Sequence, residues 1–283
     1  MQIHVIQTGT VQIKKAQQRG QGRGFKRQMN MMTDKEWTDP LPIYAWVIEH
    51  AEGVIIVDTG DTAKTMEPGY FPRWHPYYRW GVRFDIQPEQ EIGPQLDTLG
   101  IKSKDVRTVI LTHFHTDHAG GLHHFPHSEI LVSRPDYKKA QGLPGKLQGF
   151  LPHRWPEWFA PQPIAFEADS FGPFERSYRV TQAGDVLIVP TPGHTPGHVS
   201  VIAIQDDVSY FLAGDTSYSQ QLLLEKQIDG VSPDEDTARQ TMQKILDYAG
   251  ERPTIYLPSH DPEAVERLEG RVTVQANRNT EIR

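Results

Sequence analysis

The chain has 283 residues, a formal net charge of −7 and no cysteine. The lack of cysteine excludes disulfides and thiolate metal ligands, and the acidic balance argues against a nucleic-acid partner. The length suits one large domain or two small ones, and we expect a single domain, residues 1–283, because no Ser/Gly-rich or Pro-rich linker divides the chain.

The first residues, MQIHVIQTGT, have the pattern of a strand and lack the basic and apolar regions of a secretory signal. No apolar run approaches the roughly 20 residues that a membrane-spanning helix needs. We therefore expect a cytoplasmic protein without a membrane partner.

Short apolar and β-branched runs recur along the chain, each bounded by Gly, Pro or charged residues, and they predict strands. The predicted strands are IHVI near the start, IYAWVI (43–48), GVIIVD (53–58), TVILTH (108–113), EILVS (129–133), VLIVP (186–190), VSVIAI (199–204), SYFLAG (209–214) and TIYLPSH (254–260). Two amphipathic segments that end at a glycine, residues 88–100 and 232–250, predict helices. This order of elements favours two sheets covered by helices.

Three segments do not belong to this minimal core. The basic stretch 14–27, KKAQQRGQGRGFKR, is typical of a solvated, mobile loop, with a substrate entrance or a subunit contact as the alternative. Residues 67–84 and 142–166 are rich in Pro and aromatic residues. We interpret these two as insertions that cover an apolar pocket or form a subunit contact; alternatively, their aromatic side chains only pin the loops to the core.

The stretch HFHTDHAGG (113–121) places three histidines and one aspartate within six residues, directly after a predicted strand. In extended backbone, residues i and i+2 face the same side, so His113 and His115 would point together. Asp117 and His118 follow where the chain must turn, and the glycines beyond them permit a tight bend. Such a layout could aim one pair of ligands at each of two neighbouring metal ions.

Further candidate ligands follow later strands. His194 lies in TPGHTPGH after VLIVP, Asp215 in FLAGDTSY, and His260 ends IYLPSH. Each stands at the C-terminal end of a predicted strand, which is how a sheet protein assembles a site from distant residues.

The motif HFHTDH resembles the HxHxDH motif of the metallo-β-lactamase superfamily, and VDTG (57–60), TPGHTPGH, GD and the final SH are similar to its other motifs in the same order. The resemblance spans roughly residues 43–260. It implies an α/β fold, a four-layer αββα sandwich with a dinuclear metal site at the sheet edge. It also implies that His113, His115 and His194 bind one metal, that Asp117, His118 and His260 bind the other, and that Asp215 bridges them.

By the same resemblance Asp58 would orient the ligand loop, and the surplus histidines His123, His124, His127 and His198 would be structural or lie behind the ligands. An all-His/Asp set suits two Zn²⁺ ions and tolerates Mn, Fe or Co. Two metals about 3.5–4 Å apart can share a hydroxide that serves as a nucleophile, so the expected activity is hydrolysis.

Tyr218 narrows the expected substrate. It follows Asp215 by three residues in GDTSY, which resembles the N-acyl homoserine lactonases, where such a phenol can hydrogen-bond the lactone carbonyl or its oxyanion. Asp117 would then protonate the leaving alkoxide. The resemblance therefore implies an enzyme that opens an acyl homoserine lactone ring (quorum quenching), with a small acyl lactone as substrate and a homodimer as the assembly.

Other members of the superfamily fit less well. There is no cysteine for a Cys-ligand β-lactamase, and little sequence after His260 for a glyoxalase II-like helical domain. RNase Z-like nucleases need a basic RNA-binding surface, and the acidic balance and the apolar character of the insert argue against them. Flavodiiron-type proteins alter HxHxDH and add a flavin domain. The alternatives that stay open are a related hydrolase of another lactone, ester, thioester or phosphoester, and a metal-binding scaffold or sensor.

Overall fold

The computed structural model describes residues 1–275. Within them the strands, in chain order, are β1 (Gln2–Ile13), β2 (Leu41–His50), β3 (Gly53–Val57), β4 (Val82–Asp85), β5 (Val106–Leu111), β6 (Glu129–Val132), β7 (Gln162–Pro163), β8 (Tyr178–Arg179), β9 (Val186–Pro190), β10 (Val199–Gln205), β11 (Val208–Gly214) and β12 (Thr254–Pro258). The α-helices are α1 (Lys15–Gln18), α2 (Gly24–Thr33), α3 (Ile92–Thr98), α4 (Thr116–Ala119), α5 (Arg134–Ala140), α6 (Gly142–Leu147), α7 (Gln220–Leu224), α8 (Glu235–Glu251) and α9 (Ala264–Gly270). None of these helices is long and apolar enough to cross a membrane.

The strands form two sheets. One has seven strands in the order β4-β1-β2-β3-β5-β6-β7, and the other has five in the order β12-β11-β10-β9-β8. In the first sheet β3, β5, β6 and β7 are parallel, and in the second β11 is parallel to β12. Parallel neighbours end at the same sheet edge, so the loops that follow β3, β5, β11 and β12 are free to meet there.

The two sheets pack face to face and each is covered by helices on its outer face. Successive residues of β2 show this arrangement: Trp46 and Ile48 face the second sheet, whereas Ala45 and Val47 face the helix layer that contains α3. On the other side Met242 and Ile245 of α8 cover the outer face of the five-stranded sheet. Because both faces of the central strands are buried, these strands are apolar throughout rather than alternating. The predicted αββα sandwich is confirmed.

All nine predicted strands are present, although β5 and β12 end before His113 and His260. The helix predicted for residues 232–250 is α8, which begins after Asp234, whose side chain accepts from the backbone N–H of Asp236 and Thr237. The helix predicted for 88–100 is interrupted at Glu91, which is extended (ψ 152°), so that only α3 is α-helical. The short strands β4, β7 and β8 had no signal of their own because each has only two to four residues.

The prediction of a solvated loop for residues 14–27 is wrong. The segment contributes α1 and the start of α2, and it buries Lys14, Gln17 and Arg27. Arg27 donates to the carbonyl of Ser232 and lies 3.1 Å from a Glu235 carboxylate oxygen. A run of basic residues is usually solvated, but here the partners that allow the burial of Arg27 lie more than 200 residues away along the chain.

The two aromatic segments pack against each other beside the edge where the ligand loops meet. Tyr78 donates to the carbonyl of Gly149, and His75 Nε2 donates to the carbonyl of Leu147 at 3.1 Å. Trp155 packs into the core beside Phe114, with ring centroids 5.1 Å apart. The segments therefore have both expected roles, since one part anchors them and another part faces a cavity.

The turn after β3 has no room for a side chain at Gly60. Its φ is +66°, and a Cβ there would lie 2.1 Å from Thr8 Oγ1. Gly69 also has a positive φ, of +91°, but a Cβ there meets nothing within 4 Å.

We predict that Gly60→Ala lowers the free energy of unfolding by about 1–3 kcal/mol more than Gly69→Ala, because only the first variant adds overpacking to the backbone strain. Urea unfolding with an unchanged m-value measures the difference. Equal losses in the two variants would show that the contact with Thr8 relaxes freely.

Candidate metal centre

The ligand loops bring all seven predicted metal-ligand residues to one sheet edge. His113, His115, Asp117 and His118 follow β5 and enter α4, whereas His194, Asp215 and His260 follow β9, β11 and β12. Six of these side chains lie in two groups whose ligand atoms are within 4.8 Å of one another, namely His113–His115–His194 and Asp117–His118–His260. The members of the two groups are those that the resemblance to the metallo-β-lactamase superfamily implied for the two metals.

In the first group the nitrogen atoms are closely spaced. His115 Nδ1 lies 2.9 Å from His113 Nε2 and 3.0 Å from His194 Nε2. The ring of Phe150 stacks on His115, with centroids 5.2 Å apart and planes at 15°. The second aromatic segment therefore fixes one side of this group.

Asp215 lies between the groups and turns one carboxylate oxygen towards each. Its Oδ2 is 3.4 Å from His194 Nε2. Its Oδ1 is 3.3 Å from His118 Nε2 and 3.4 Å from His260 Nε2. His260 Nε2 is also 3.4 Å from Asp117 Oδ2. A carboxylate in this position could contact a metal ion in either group.

Acceptors behind the rings determine which nitrogen of each histidine carries its proton. The Nδ1 atoms of His118, His194 and His260 each lie 2.8 Å from an acceptor, which is respectively Asp58 Oδ2, Asp229 Oδ2 and the carbonyl of Pro42. A neutral imidazole that donates through Nδ1 presents a lone pair at Nε2. A metal ligand must be neutral, and in that form each of these three rings would present Nε2 to the centre as an acceptor.

His113 follows the same logic through Thr112. The Thr112 hydroxyl donates to Asp58 Oδ2 at 2.8 Å, so its oxygen can accept from His113 Nδ1 at 3.1 Å. His113 Nε2 then also presents a lone pair. The one N–H that His115 could offer cannot satisfy both His113 and His194.

The donor set fits divalent metal ions. His118 Nε2 and Asp215 Oδ1 are buried and have no hydrogen-bond partner among residues 1–275. Buried polar atoms without partners are costly, and several inward lone pairs around one point need a cation between them. Imidazole nitrogens with carboxylate oxygens are ligands that Zn²⁺ and related transition metals accept.

The electrostatics of the buried site suit metal binding. Burial lowers the pKa of His113 and of His115 well below the usual range, so these rings stay neutral and keep their lone pairs. Burial alone would raise the pKa of Asp215 and lower that of His118, His194 and His260, but the attraction between this carboxylate and these rings reverses both, so the pKa of Asp215 lies well below its usual range and the pKa of the three histidines is raised. Asp215 is thus ionised, as a metal-bridging residue would have to be.

Tyr218 lies beside the second group. Its ring stacks on that of His260, with centroids 5.5 Å apart and planes at 24°, and it is 4% exposed. Burial raises the pKa of its phenol well above 10, so the hydroxyl stays protonated. Asp117 is the most exposed carboxylate of the centre, with 15% of its side chain accessible.

A cavity of about 170 Å³ opens above the centre. Its floor contains Asp117, Asp215 and His260, and Tyr77, Tyr78 and Tyr218 contribute to its lining. Its other lining side chains include Val11, Ile13, Met31, Met32, Phe84, His75, Gln17 and Gln148. The basic segment and both aromatic segments thus supply parts of the wall.

The surplus histidines lie outside the two groups. His198 is buried, and its Nε2 accepts from the backbone N–H of Asp215 at 3.0 Å, so it positions the bridge. His123 and His124 face the carboxylate of Glu91, at 3.1 and 2.7 Å. His127 is exposed.

Sequence reasoning missed several residues of the centre. Asp229, which anchors His194, also accepts from the backbone N–H of Ser232 and is 4% exposed. Its only signal is an Asp-Gly pair, which usually marks a turn. The Pro42 carbonyl cannot be recognised from the sequence, because every residue has a backbone carbonyl. Asp61 is fully buried beside the centre, and this burial raises its pKa to about 8.

Residues 38–260 match the family model of the metallo-β-lactamase superfamily. The match covers most of the chain and includes all seven ligand candidates. The chain therefore belongs to the metallo-β-lactamase superfamily, in agreement with the expectation from HFHTDH.

Within this superfamily the chain is similar to N-acyl homoserine lactonases. The N-acyl homoserine lactonase AttM of Agrobacterium fabrum is 26% identical over 280 residues, which cover 93% of this chain and 94% of that protein. A solved N-acyl homoserine lactone hydrolase, with N-hexanoyl-L-homoserine at its catalytic metal centre, has a TM-score of 0.73 at 23% identity and covers 93% of this chain and 94% of its own. AidC, a dizinc quorum-quenching lactonase, has a TM-score of 0.62 at 15% identity, covering 92% and 87%.

We predict that Asp229→Asn weakens zinc binding about 10–100-fold, because the amide no longer enforces the proton on His194 Nδ1. Competition with a chromophoric chelator measures the affinity. The matched control is Asp185→Asn, which removes the carboxylate that lies 3.1 Å from His50 Nε2, outside the two ligand groups. Zinc affinity that is unchanged in Asp229→Asn would show that this anchor does not preset the ligand.

Proposed function

We propose that this chain is a dinuclear metal-dependent hydrolase that opens the lactone ring of N-acyl homoserine lactones. The observation that carries the proposal is a protonated phenol, Tyr218, stacked on a ligand histidine at the base of a cavity with largely apolar walls. The similarity to lactonases along almost the whole chain supports the same substrate class.

In this proposal His113, His115 and His194 would hold one metal ion, Asp117, His118 and His260 would hold the other, and Asp215 would be shared by both. When bound, the two ions supply Lewis acidity towards a carbonyl oxygen and activated water at neutral pH. We infer Zn²⁺ from the His/Asp ligands and the dizinc relative. Asp58 and Asp229 hold the rings in place from behind.

Two residues of the chain then act on the substrate: Tyr218 stabilises the developing negative charge, and Asp117 transfers the proton. Tyr218 donates its hydroxyl to the lactone carbonyl oxygen and holds it as negative charge develops there. Asp117, at the accessible side of the centre, takes the proton released by the attacking water and passes it to the ring oxygen as the C–O bond breaks. The product is the ring-opened acyl homoserine.

The acyl tail has an apolar path away from the centre. A groove lined by Phe25, Met29, Leu147 and Phe150 continues from the cavity and shares Met31 and Met32 with it. Phe25 and Leu147 are 75% and 59% exposed. Large exposed apolar side chains at a cleft indicate a binding surface, and an acyl chain laid there would cover them.

We also propose that the chain folds as a single domain and forms a homodimer. A subunit contact would cover other exposed aromatic side chains, such as those of Trp74 and Trp80.

The test is hydrolysis of N-butanoyl and N-decanoyl homoserine lactone by the zinc-loaded protein, followed by proton release. We expect rapid opening of the ring, loss of activity in His115→Ala, and a roughly 10²–10³-fold lower kcat in Tyr218→Phe at unchanged zinc content. The ratio of the two substrates reports on the groove.

No opening of either lactone by protein that holds two zinc ions per chain would overturn this substrate class. Thioesters and phosphodiesters would then be the substrates to examine.

A further inference from the structure

Gln17 makes a contact that the proposed function does not use. It lies in α1, inside the basic segment, and is only 3% exposed. Its side-chain Nε2 lies 3.0 Å from the hydroxyl of Tyr77 and 3.1 Å from that of Tyr218. One amide nitrogen thus joins the first aromatic segment to the metal centre.

The direction of these two hydrogen bonds matters. An amide –NH₂ group has two N–H donors, one for each phenol oxygen. Each phenol therefore accepts from Gln17 and keeps its own hydrogen. Among residues 1–275 neither hydroxyl has another hydrogen-bond partner, and both tyrosines line the cavity above Asp117 and Asp215. Both hydroxyl hydrogens are thus left for a ligand in the cavity.

The spacing of the two donors is also restricted. Because both phenols bind one nitrogen, their oxygens lie at most about two hydrogen-bond lengths apart. An acyl homoserine lactone has two carbonyl oxygens at comparable separation, one in the ring and one in the amide, joined through a single Cα–N unit. A simple alkyl lactone has only the ring carbonyl.

We propose that Tyr77 donates to the acyl amide carbonyl of the substrate and thereby selects amide-bearing lactones, and that Gln17 is the positioning residue that turns both phenols into donors. Tyr218, which stacks on His260, serves the ring carbonyl. This inference rests on the proposed lactonase function and adds the reason why an N-acyl group would be preferred over a plain alkyl tail.

The experiment compares N-hexanoyl homoserine lactone with a γ-alkyl-γ-butyrolactone of similar length. We expect Tyr77→Phe to lower kcat/KM about tenfold for the first substrate, mainly through KM, and to leave the second within about twofold, because the lost hydrogen bond involves only the amide carbonyl. Tyr218→Phe should lower kcat/KM for both substrates. Equal effects of Tyr77→Phe on the two substrates would overturn the inference.

Gln17 is tested by reversing its polarity. In Gln17→Glu the side chain keeps its shape but, when ionised, only accepts hydrogen bonds. The phenols would then donate to it and would have no hydrogen left to donate to the ligand. We expect this variant to lose more activity than Gln17→Met, at unchanged zinc content. Gln17→Glu with wild-type kcat/KM would show that the phenols do not act as donors.

The matched control is Gln18→Glu, the next residue of α1, whose side chain makes no hydrogen bond within residues 1–275 and which should behave as wild type. Thermal unfolding reports whether each variant folds. If Gln17→Glu does not fold, the substrate comparison with Tyr77→Phe still decides. If the wild type opens neither lactone, the proposed function fails and this inference with it; if it opens both and Tyr77→Phe does not discriminate, this inference alone fails.

Discussion

The carboxylate of Asp58 is the constraint on which the rest of the centre depends. It lies just after β3, accepts from the backbone N–H and hydroxyl of Thr112 after β5, and binds His118 Nδ1. Each of these hydrogen bonds measures 2.8 Å, and both Asp58 and His118 are fully buried. One side chain thus ties two parallel strands together and also sets the protonation of His118 directly and of His113 through Thr112.

This arrangement explains why a site made from distant residues is preorganised. Buried lone pairs that face one another repel, and the fold holds them there because anchors behind the rings leave them no other orientation. Asp229 and the Pro42 carbonyl do the same for His194 and His260 as Asp58 does for His118. Bound metal ions would relieve this repulsion, and metal binding would then be coupled to the stability of this edge.

The elements and ligand candidates were largely predictable because their signals are local. Apolar runs identify buried strands, and HFHTDH concentrates its ligands within one turn, so the sheets and the histidines follow from short stretches of sequence. His194, Asp215 and His260 could be added because each follows such a run. The metal-ligand assignment and the catalytic roles stay predictions, since the geometry brings the side chains together without testing what they bind.

What could not be predicted depends on long-range contacts. In the sequence Gln17 resembles any polar residue of a basic loop. Its proposed role depends on hydrogen bonds to two tyrosines that are 60 and 201 positions away along the chain. Arg27 is buried for the same kind of reason. Backbone anchors such as the Pro42 carbonyl carry no side-chain signal at all. These features shape the cavity wall and the orientation of its donors, so substrate selection is the part of function that sequence patterns describe least.

The most direct test of this account is the number of zinc ions bound per chain, measured by inductively coupled plasma mass spectrometry after equilibrium dialysis. The geometry around Asp215 predicts two zinc ions per chain in the wild type and a loss of zinc in Asp215→Ala, because that carboxylate faces both ligand groups. One zinc ion or none in the wild-type protein, at saturating zinc, would contradict the dinuclear centre on which the proposed function is built.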